Sequence, residues 1–141
     1  MENYLITSQD VDMLPTNLKK SLASCEVFTF GMDYEGATRL DKKELLDKMK
    51  DMTEVVYERI ENYSPLKKKD QIAFLINNAS NVVDNKNFRI VLRLGKRVGV
   101  YIILINNKNI IKTTLQKYFT RMVIHSEDNI EIKKGNYYND T

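Results

Sequence analysis

Three unbroken apolar runs constrain the fold of this chain more than any other feature. QIAFLI at 71–76, VYIILI at 100–105 and RMVIHS at 121–126 show little alternation of apolar and polar residues. Runs of this kind are expected where helices cover both faces of a parallel sheet. Segments with helical periodicity separate the three runs. This order predicts an α/β fold with a doubly wound, mainly parallel sheet, helices on both faces, and the three runs buried in its middle.

Shorter patterns complete the expected fold. Asp41 and Glu44 have the spacing of a capping box, and the apolar residues behind them recur at three and four positions, which predicts a helix from Lys42 to about Glu61. The other predicted elements are strands at 3–7 and 25–31, a short helix starting at Pro15–Thr16, a short helix within 107–119 and an edge hairpin within 129–138. A chain of 141 residues is long enough for one core and too short for two ordinary domains, so residues 1–141 are predicted to form a single α/β domain.

Composition excludes several classes of protein. No apolar run reaches the roughly eighteen residues needed to span a bilayer, and the N-terminal residues lack the pattern of an export signal. A cytoplasmic protein without membrane association is therefore expected. Cys25 cannot form an internal disulfide, and His125 alone cannot supply a zinc site, so no metal is expected. His125 is predicted to be structural, while Cys25 fits a small core residue better than a nucleophile and is assigned no role.

Charge is segregated along the chain. Residues 1–64 carry 13 acids against 8 Lys and Arg, whereas residues 85–126 carry 9 Lys and Arg and no acid. This distribution favours an anionic partner for the C-terminal half, or docking of that half on an acidic surface.

The segment NKNFRIVLRLGKRVG predicts an amphipathic helix with a basic stripe. At 100° per residue, five cations fall within an arc of about 100°, while Phe88 and Val91 lie on the opposite side. The five are Lys86, Arg89, Arg93, Lys96 and Arg97. The stripe either contacts a phosphate backbone or is a solvated helix face.

From Asp41 onward, the order and local pattern of the segments resemble the motor domain of FtsK/SpoIIIE-type DNA translocases, within the RecA-like P-loop ATPases. TEVVYERIENY, with Glu58 and Arg59, takes the place of the family's helix before the Walker B strand. QIAFLINN takes the place of that strand, ending in Asn77 and Asn78.

The later segments continue the resemblance, which covers about two thirds of the chain. KRVGVYIILINN matches a helix end and the following strand, with Asn106 and Asn107 at the polar sensor-like position. TRMVIHS, with Arg121 and Ser126, and KKGNYY match the family's next strand and turn loosely. The resemblance implies that the chain corresponds to the C-terminal part of an FtsK-like motor domain with a RecA-like core.

Departures from the family pattern predict that the chain is not an enzyme. No G-x-x-x-x-G-K-[ST] phosphate loop is present, so neither nucleotide nor another cofactor is expected. At the degenerate Walker B position, Asn77 and Asn78 replace the acids that hold Mg²⁺ and activate water. An amide does neither at neutral pH. The two residues are either a decayed catalytic pair or an ordinary strand-to-loop turn, which asparagine tolerates well.

Three functions follow as hypotheses. The first is a non-catalytic FtsK/SpoIIIE-like module, from a mobile genetic element, that binds or assembles with a partner ATPase or with DNA. The second is a small basic accessory protein that binds nucleic acid. The third, an ATPase completed by a partner subunit, is the weakest, because one chain normally supplies both nucleotide motifs. The candidate DNA-binding or partner-binding residues are Lys86, Arg89, Arg93, Lys96, Arg97 and Arg121.

Overall fold

The computed structural model describes residues 1–8, 14–62, 70–105, 113–126 and 129–133, and within them the chain forms seven strands and four α-helices. The strands are β1 (Tyr4–Thr7), β2 (Glu26–Phe30), β3 (Thr38–Leu40), β4 (Ile72–Asn77), β5 (Val100–Ile105), β6 (Thr120–Ser126) and β7 (Asn129–Lys133). The α-helices are α1 (Thr16–Leu22), α2 (Lys42–Asn62), α3 (Lys86–Leu94) and α4 (Thr113–Gln116). Two 3-10 helices lie at Ala79–Asn81 and Gly95–Val98.

All seven strands belong to one sheet, in the order β3-β2-β4-β5-β1-β6-β7. Every neighbouring pair is parallel except β6 and β7, which pair antiparallel. The predicted α/β class with a mainly parallel sheet is therefore confirmed. The arrangement is consistent with a RecA-like core and does not distinguish it from other doubly wound folds.

Helices cover both faces of the sheet. Leu18 and Leu22 of α1 pack on one face, in a cluster with Leu75 of β4. The buried stripe of α2 and Phe88 of α3 pack on the other face, in a cluster with Phe74. Successive residues of β4 thus enter opposite cores, which explains why QIAFLI shows no alternation.

The run RMVIHS lies nearer the edge than predicted. Its strand, β6, is the last but one in the sheet, whereas β4, β5 and β1 form the middle. Exposure alternates along β6, with Met122 and Ile124 buried and Arg121 and Val123 half-buried. Near the edge of the sheet only one face is fully covered, so the strand keeps a partly polar face.

One strand was not predicted from the sequence. The segment Thr38–Leu40 has only three residues, of which Thr38 and Arg39 are exposed. It forms β3 because it pairs in parallel with β2, with Phe28 opposite Thr38. Such a short edge strand depends on its neighbour and leaves no apolar pattern of its own.

The predicted helix after Asp41 is confirmed as α2. The backbone N–H of Glu44 donates to Oδ1 of Asp41 at 2.8 Å, and the N–H of Asp41 donates to Oε1 of Glu44 at 3.0 Å. These two bonds form the expected capping box. Leu45 and Val56 belong to the fully buried stripe of this helix.

The helix predicted after Asn85 ends earlier than the basic stripe. The α-helical part stops at Leu94, and a 3-10 helix continues to Val98 before Gly99, whose φ of 83° ends it as expected. At Gly95 a Cβ atom would lie 2.6 Å from the carbonyl oxygen of Val100. Glycine therefore allows the end of α3 to approach the start of β5 closely.

Asn3 ties three parts of the fold together. Its side chain is buried, with Nδ2 donating to the carbonyl of Leu92 at 3.2 Å and Oδ1 accepting from the N–H of Ile102 at 2.8 Å. Its carbonyl accepts from the N–H of Thr120 at 2.8 Å. One residue thus connects α3, β5 and β6 at the start of β1.

Candidate functional site

Asn77 and Asn78 lie at the carboxyl end of β4, where the resemblance places the Walker B acids. Nδ2 of Asn77 donates to the carbonyl of Gly31 at 3.2 Å and so joins the ends of β2 and β4. Asn78 adopts a left-handed conformation with φ of 60°, and its Oδ1 accepts from Oγ of Ser80 at 2.9 Å. A carboxylate at position 77 could not donate the first bond. Both amides therefore have structural uses in the turn that follows β4.

The loops that follow β5 and β1, the next two strands on one side of β4, lie outside the described residues. The loop after β1 falls on residues 9–13 and the sensor-like Asn106 and Asn107 fall on 106–112, all of which lie outside the described residues.

Arg59 connects two stretches that carry the family resemblance. Its Nη1 donates to the carbonyl of Val98 at 2.9 Å, beside the left-handed Gly99. The contact fixes the end of α2 against the turn that leads into β5. A charge-assisted hydrogen bond to a backbone carbonyl stabilises the fold, and it places Arg59 in a structural role.

A basic groove lies between α3 and the segment after α4. The groove has a volume of about 500 Å³. Among the described residues, four cations line it, namely Lys86, Arg89, Arg93 and Lys117, together with one acid, Asp84. Its remaining lining is Ile90, Leu115 and Tyr118. We call this site, with these eight residues, the basic groove.

Arg89 is fixed in place within the basic groove. Its Nε donates to the carbonyl of Val83 at 3.0 Å, and its Nη2 donates to Oδ1 of Asp84 at 2.8 Å. The same ion pair has side-chain exposures of 39% for Arg89 and 71% for Asp84, so water and an incoming anion can reach it. Lys86 and Arg93 are exposed. The groove therefore combines one oriented guanidinium with more adaptable cations.

The start of α3 positions these side chains. Oδ1 of Asn85 accepts from the N–H of Phe88 at 3.0 Å and caps the helix. Phe88 is fully buried, so the opposite side of α3, with Lys86 and Arg93, faces outward. The predicted amphipathic stripe is thus present over the α-helical part of the segment.

Three of the predicted binding residues lie outside the basic groove. Lys96 and Arg97 belong to the 3-10 helix, and Lys96 forms an ion pair with Glu2. Arg121 lies on β6, where strand alternation directs it away from the face that holds Met122. In their place, Lys117 joins the groove from a separate segment, which the sequence pattern did not indicate.

A stripe of acids runs along the outer side of α2. Its five members are exposed and recur at three and four residues, within an arc of about 80° opposite the buried side. They are Asp47, Asp51, Glu54, Glu58 and Glu61. We call this set the acidic stripe. The average spacing of 3.5 residues between these acids could have indicated the acidic stripe. The helix, however, was predicted from its capping box and its apolar positions alone.

The two other candidate residues have ordinary surroundings. Cys25 is half-buried, its Sγ donates to the carbonyl of Ser21 at 3.5 Å, and burial raises the pKa of its thiol. A thiol that keeps its proton is a poor nucleophile. Nε2 of His125 lies 3.6 Å from Oε2 of Glu131 in an exposed pair across β6 and β7. Neither residue is part of a catalytic arrangement among the described residues.

Comparisons with family models and with curated proteins assign no family to this chain. No helix in the described part of the chain is long and apolar enough to cross a membrane. No family model matches the sequence, and a search of the curated proteins finds no match.

Proposed function

We propose that this chain is a non-catalytic binding module of FtsK/SpoIIIE-like type and that it binds the phosphate backbone of nucleic acid at the basic groove. The observation that carries the proposal is the convergence of four cations from two chain segments on one cavity. Neutralising phosphates releases condensed counterions, which is the main source of nonspecific affinity for nucleic acid. Such a module would work in the cytoplasm.

Binding of this kind should be weak, indifferent to base sequence and steeply dependent on salt. The groove offers cations for phosphates, and its described lining includes no amide side chain that could read base edges. If all four cations contact phosphates, affinity should fall about fiftyfold for a single strand and about 150-fold for a duplex between about 50 and 200 mM salt. Fluorescence anisotropy with labelled oligonucleotides of unrelated sequence would measure both properties. Sequence-specific binding that resists salt would contradict the proposal.

Charge reversal in the groove should abolish binding at about 50 mM salt, where counterion release favours it most. We expect this result for Arg89→Glu/Arg93→Glu. Because Arg89 also contacts Val83 and Asp84, Lys86→Glu/Arg93→Glu is a second test that keeps those contacts. Circular dichroism would verify the fold of each variant.

The matched control changes the same amount of charge elsewhere. Lys19 and Lys20 are exposed on α1, which covers the opposite face of the sheet. Lys19→Glu/Lys20→Glu should therefore retain most of the affinity. Equal losses in the control and the groove variants would mean that only net charge matters, and the groove would not be the site.

The proposed lack of catalysis predicts no ATP hydrolysis above background. Asn77→Asp/Asn78→Glu should not create activity, because the phosphate loop would still be missing and Asn77 would lose its bond to Gly31. A coupled assay for released phosphate, after removal of contaminating ATPases, would measure turnover. Hydrolysis by the purified chain that survives this purification would overturn the non-catalytic proposal.

A partner ATPase is the second candidate, and the acidic stripe favours it. Five outward carboxylates are unsuited to nucleic acid but fit a basic protein surface. If an FtsK-type ATPase is encoded beside this chain, Glu54→Lys/Glu58→Lys should weaken its complex with that ATPase in co-purification. Loss of the complex on reversal of Arg89 and Arg93 instead would assign protein docking to the basic groove.

A further inference from the structure

The basic groove also contains features that a site for phosphates alone would not need. Ile90 and Leu115 are buried, Tyr118 is half-buried, and all three line the same cavity as the cations. Nζ of Lys117 lies 5.2 Å from the centroid of the Tyr118 ring. Cationic grooves with aromatic side chains are typical of sites that hold a single nucleic-acid strand, because unpaired bases stack on the rings.

The position of Tyr118 within the groove also favours one strand over a duplex. The Tyr118 ring lines the same cavity of about 500 Å³ as the cations. A duplex presents two backbones separated by grooves about 6 and 12 Å wide, and its bases are stacked inside. A duplex could touch the rim cations but could not bring a base to Tyr118.

The acidic stripe lies on α2, the helix that packs against α3. Oγ1 of Thr53 on α2 donates to Oδ1 of Asn87 on α3 at 3.2 Å, so the two helices are in direct contact. Axes of packed helices are about 8–10 Å apart. A ligand wide enough to extend from the groove across α3 onto α2 would therefore meet the acids of the stripe. Duplex DNA carries one charge per about 1.7 Å of axis, twice the density of one strand, and is repelled more strongly.

From these three observations we propose that the basic groove binds single-stranded nucleic acid, with a phosphate backbone on the cations and an unpaired base on Tyr118. The inference rests on the proposed function, because it names the strand state of the ligand at the same site. The strand runs along the groove beside α3 and does not cross α2.

Binding of a 20-nucleotide single strand and of the matching duplex at about 50 mM salt would test the inference. We expect the single strand, compared with the duplex at equal phosphate concentration, to have a dissociation constant at least about fivefold lower. Stacking of one base on an aromatic ring contributes at least this factor. Tyr118→Leu should remove about the same factor from single-strand affinity, whereas Tyr118→Phe keeps the ring and should retain it. Tyr57→Leu is the matched control, since Tyr57 is 45% exposed on α2, outside the groove.

Neutralising part of the acidic stripe gives an independent readout. Glu54→Gln/Glu58→Gln should raise duplex affinity more than single-strand affinity and so narrow the difference between them. Equal or tighter binding of the duplex by the unmodified protein would overturn the single-strand inference and leave the proposed function in place. Failure of both ligands to bind would overturn the proposed function itself.

Discussion

Asn3→Ala should lower the free energy of unfolding by about 2–4 kcal/mol, because it leaves the buried N–H of Ile102 and the carbonyl of Leu92 without their partner. The side chain of Asn3 is the donor to one of these groups and the acceptor from the other. Each buried group that loses its hydrogen bond costs about 1–3 kcal/mol. Urea unfolding followed by circular dichroism would measure the change.

Asn17→Ala is the matched control for this prediction. Asn17 is exposed on α1, so the same substitution should change the free energy of unfolding by less than about 0.5 kcal/mol. A similar small effect at both positions would show that water reaches the N–H of Ile102 and the carbonyl of Leu92, and that the two side-chain bonds of Asn3 contribute little to stability.

Gly31→Ala should destabilise the protein by about 3 kcal/mol or more, because two costs coincide at this residue. Its φ of 72° lies in the left-handed region, where a side chain costs about 1–2 kcal/mol. A Cβ atom would also lie 2.7 Å from the carbonyl oxygen of Asn77, which belongs to the backbone and cannot turn away. The ends of β2 and β4 would have to separate, and the bond from Asn77 to Gly31 would weaken.

Gly36→Ala separates the two costs. Gly36 has a φ of 83°, but no atom lies within 4 Å of the Cβ that alanine would add. Its replacement should therefore cost only the backbone term of about 1–2 kcal/mol. Chemical denaturation would give the free energy of unfolding of both variants. The difference between their losses of stability is the contribution of the close approach at Gly31. Equal losses of stability in the two variants would mean that β4 moves away from Gly31 at no cost in free energy. The hydrogen bond between Asn77 and Gly31 would then contribute little to stability.

The buried strands and the long helix could be predicted because their signals are local. QIAFLI and VYIILI are apolar at every position, and the structure places their alternate residues in two cores. The capping box at Asp41 and Glu44 requires only four consecutive residues, and it forms as expected.

Strand order and the composition of the groove could not be predicted, because they depend on tertiary contacts. Nothing in the pattern NYLIT indicates that β1 inserts between β5 and β6. The spacing of Lys86, Arg89 and Arg93 was sufficient to place them on one face of α3. Lys117 reaches the same cavity only through the packing of a distant segment.

The basic stripe predicted on α3 is interrupted where the α-helix becomes a 3-10 helix. A uniform 100° spacing placed Lys96 and Arg97 with the other cations, but the chain becomes a 3-10 helix at Gly95. The change coincides with the close approach of Gly95 to Val100, a tertiary contact that helical periodicity does not show. Likewise, the sequence allows Asn77 and Asn78 to be either lost acids or turn residues. Only the position of Gly31 in the fold reveals the hydrogen bond that Asn77 donates.

The central position of β1 has a consequence for how the chain reaches this fold. Its Tyr4 pairs with Ile103 on one side and Thr120 on the other, partners about 100 residues or more away along the chain, so closing these loops carries a large entropic cost. Strands β2, β3, β4 and β5 can assemble from segments that lie closer together along the chain, and so can the hairpin of β6 and β7. We expect β1 to dock late and join two preformed parts of the sheet. Until then the apolar edge of β5 remains open, and aggregation through that edge competes with folding.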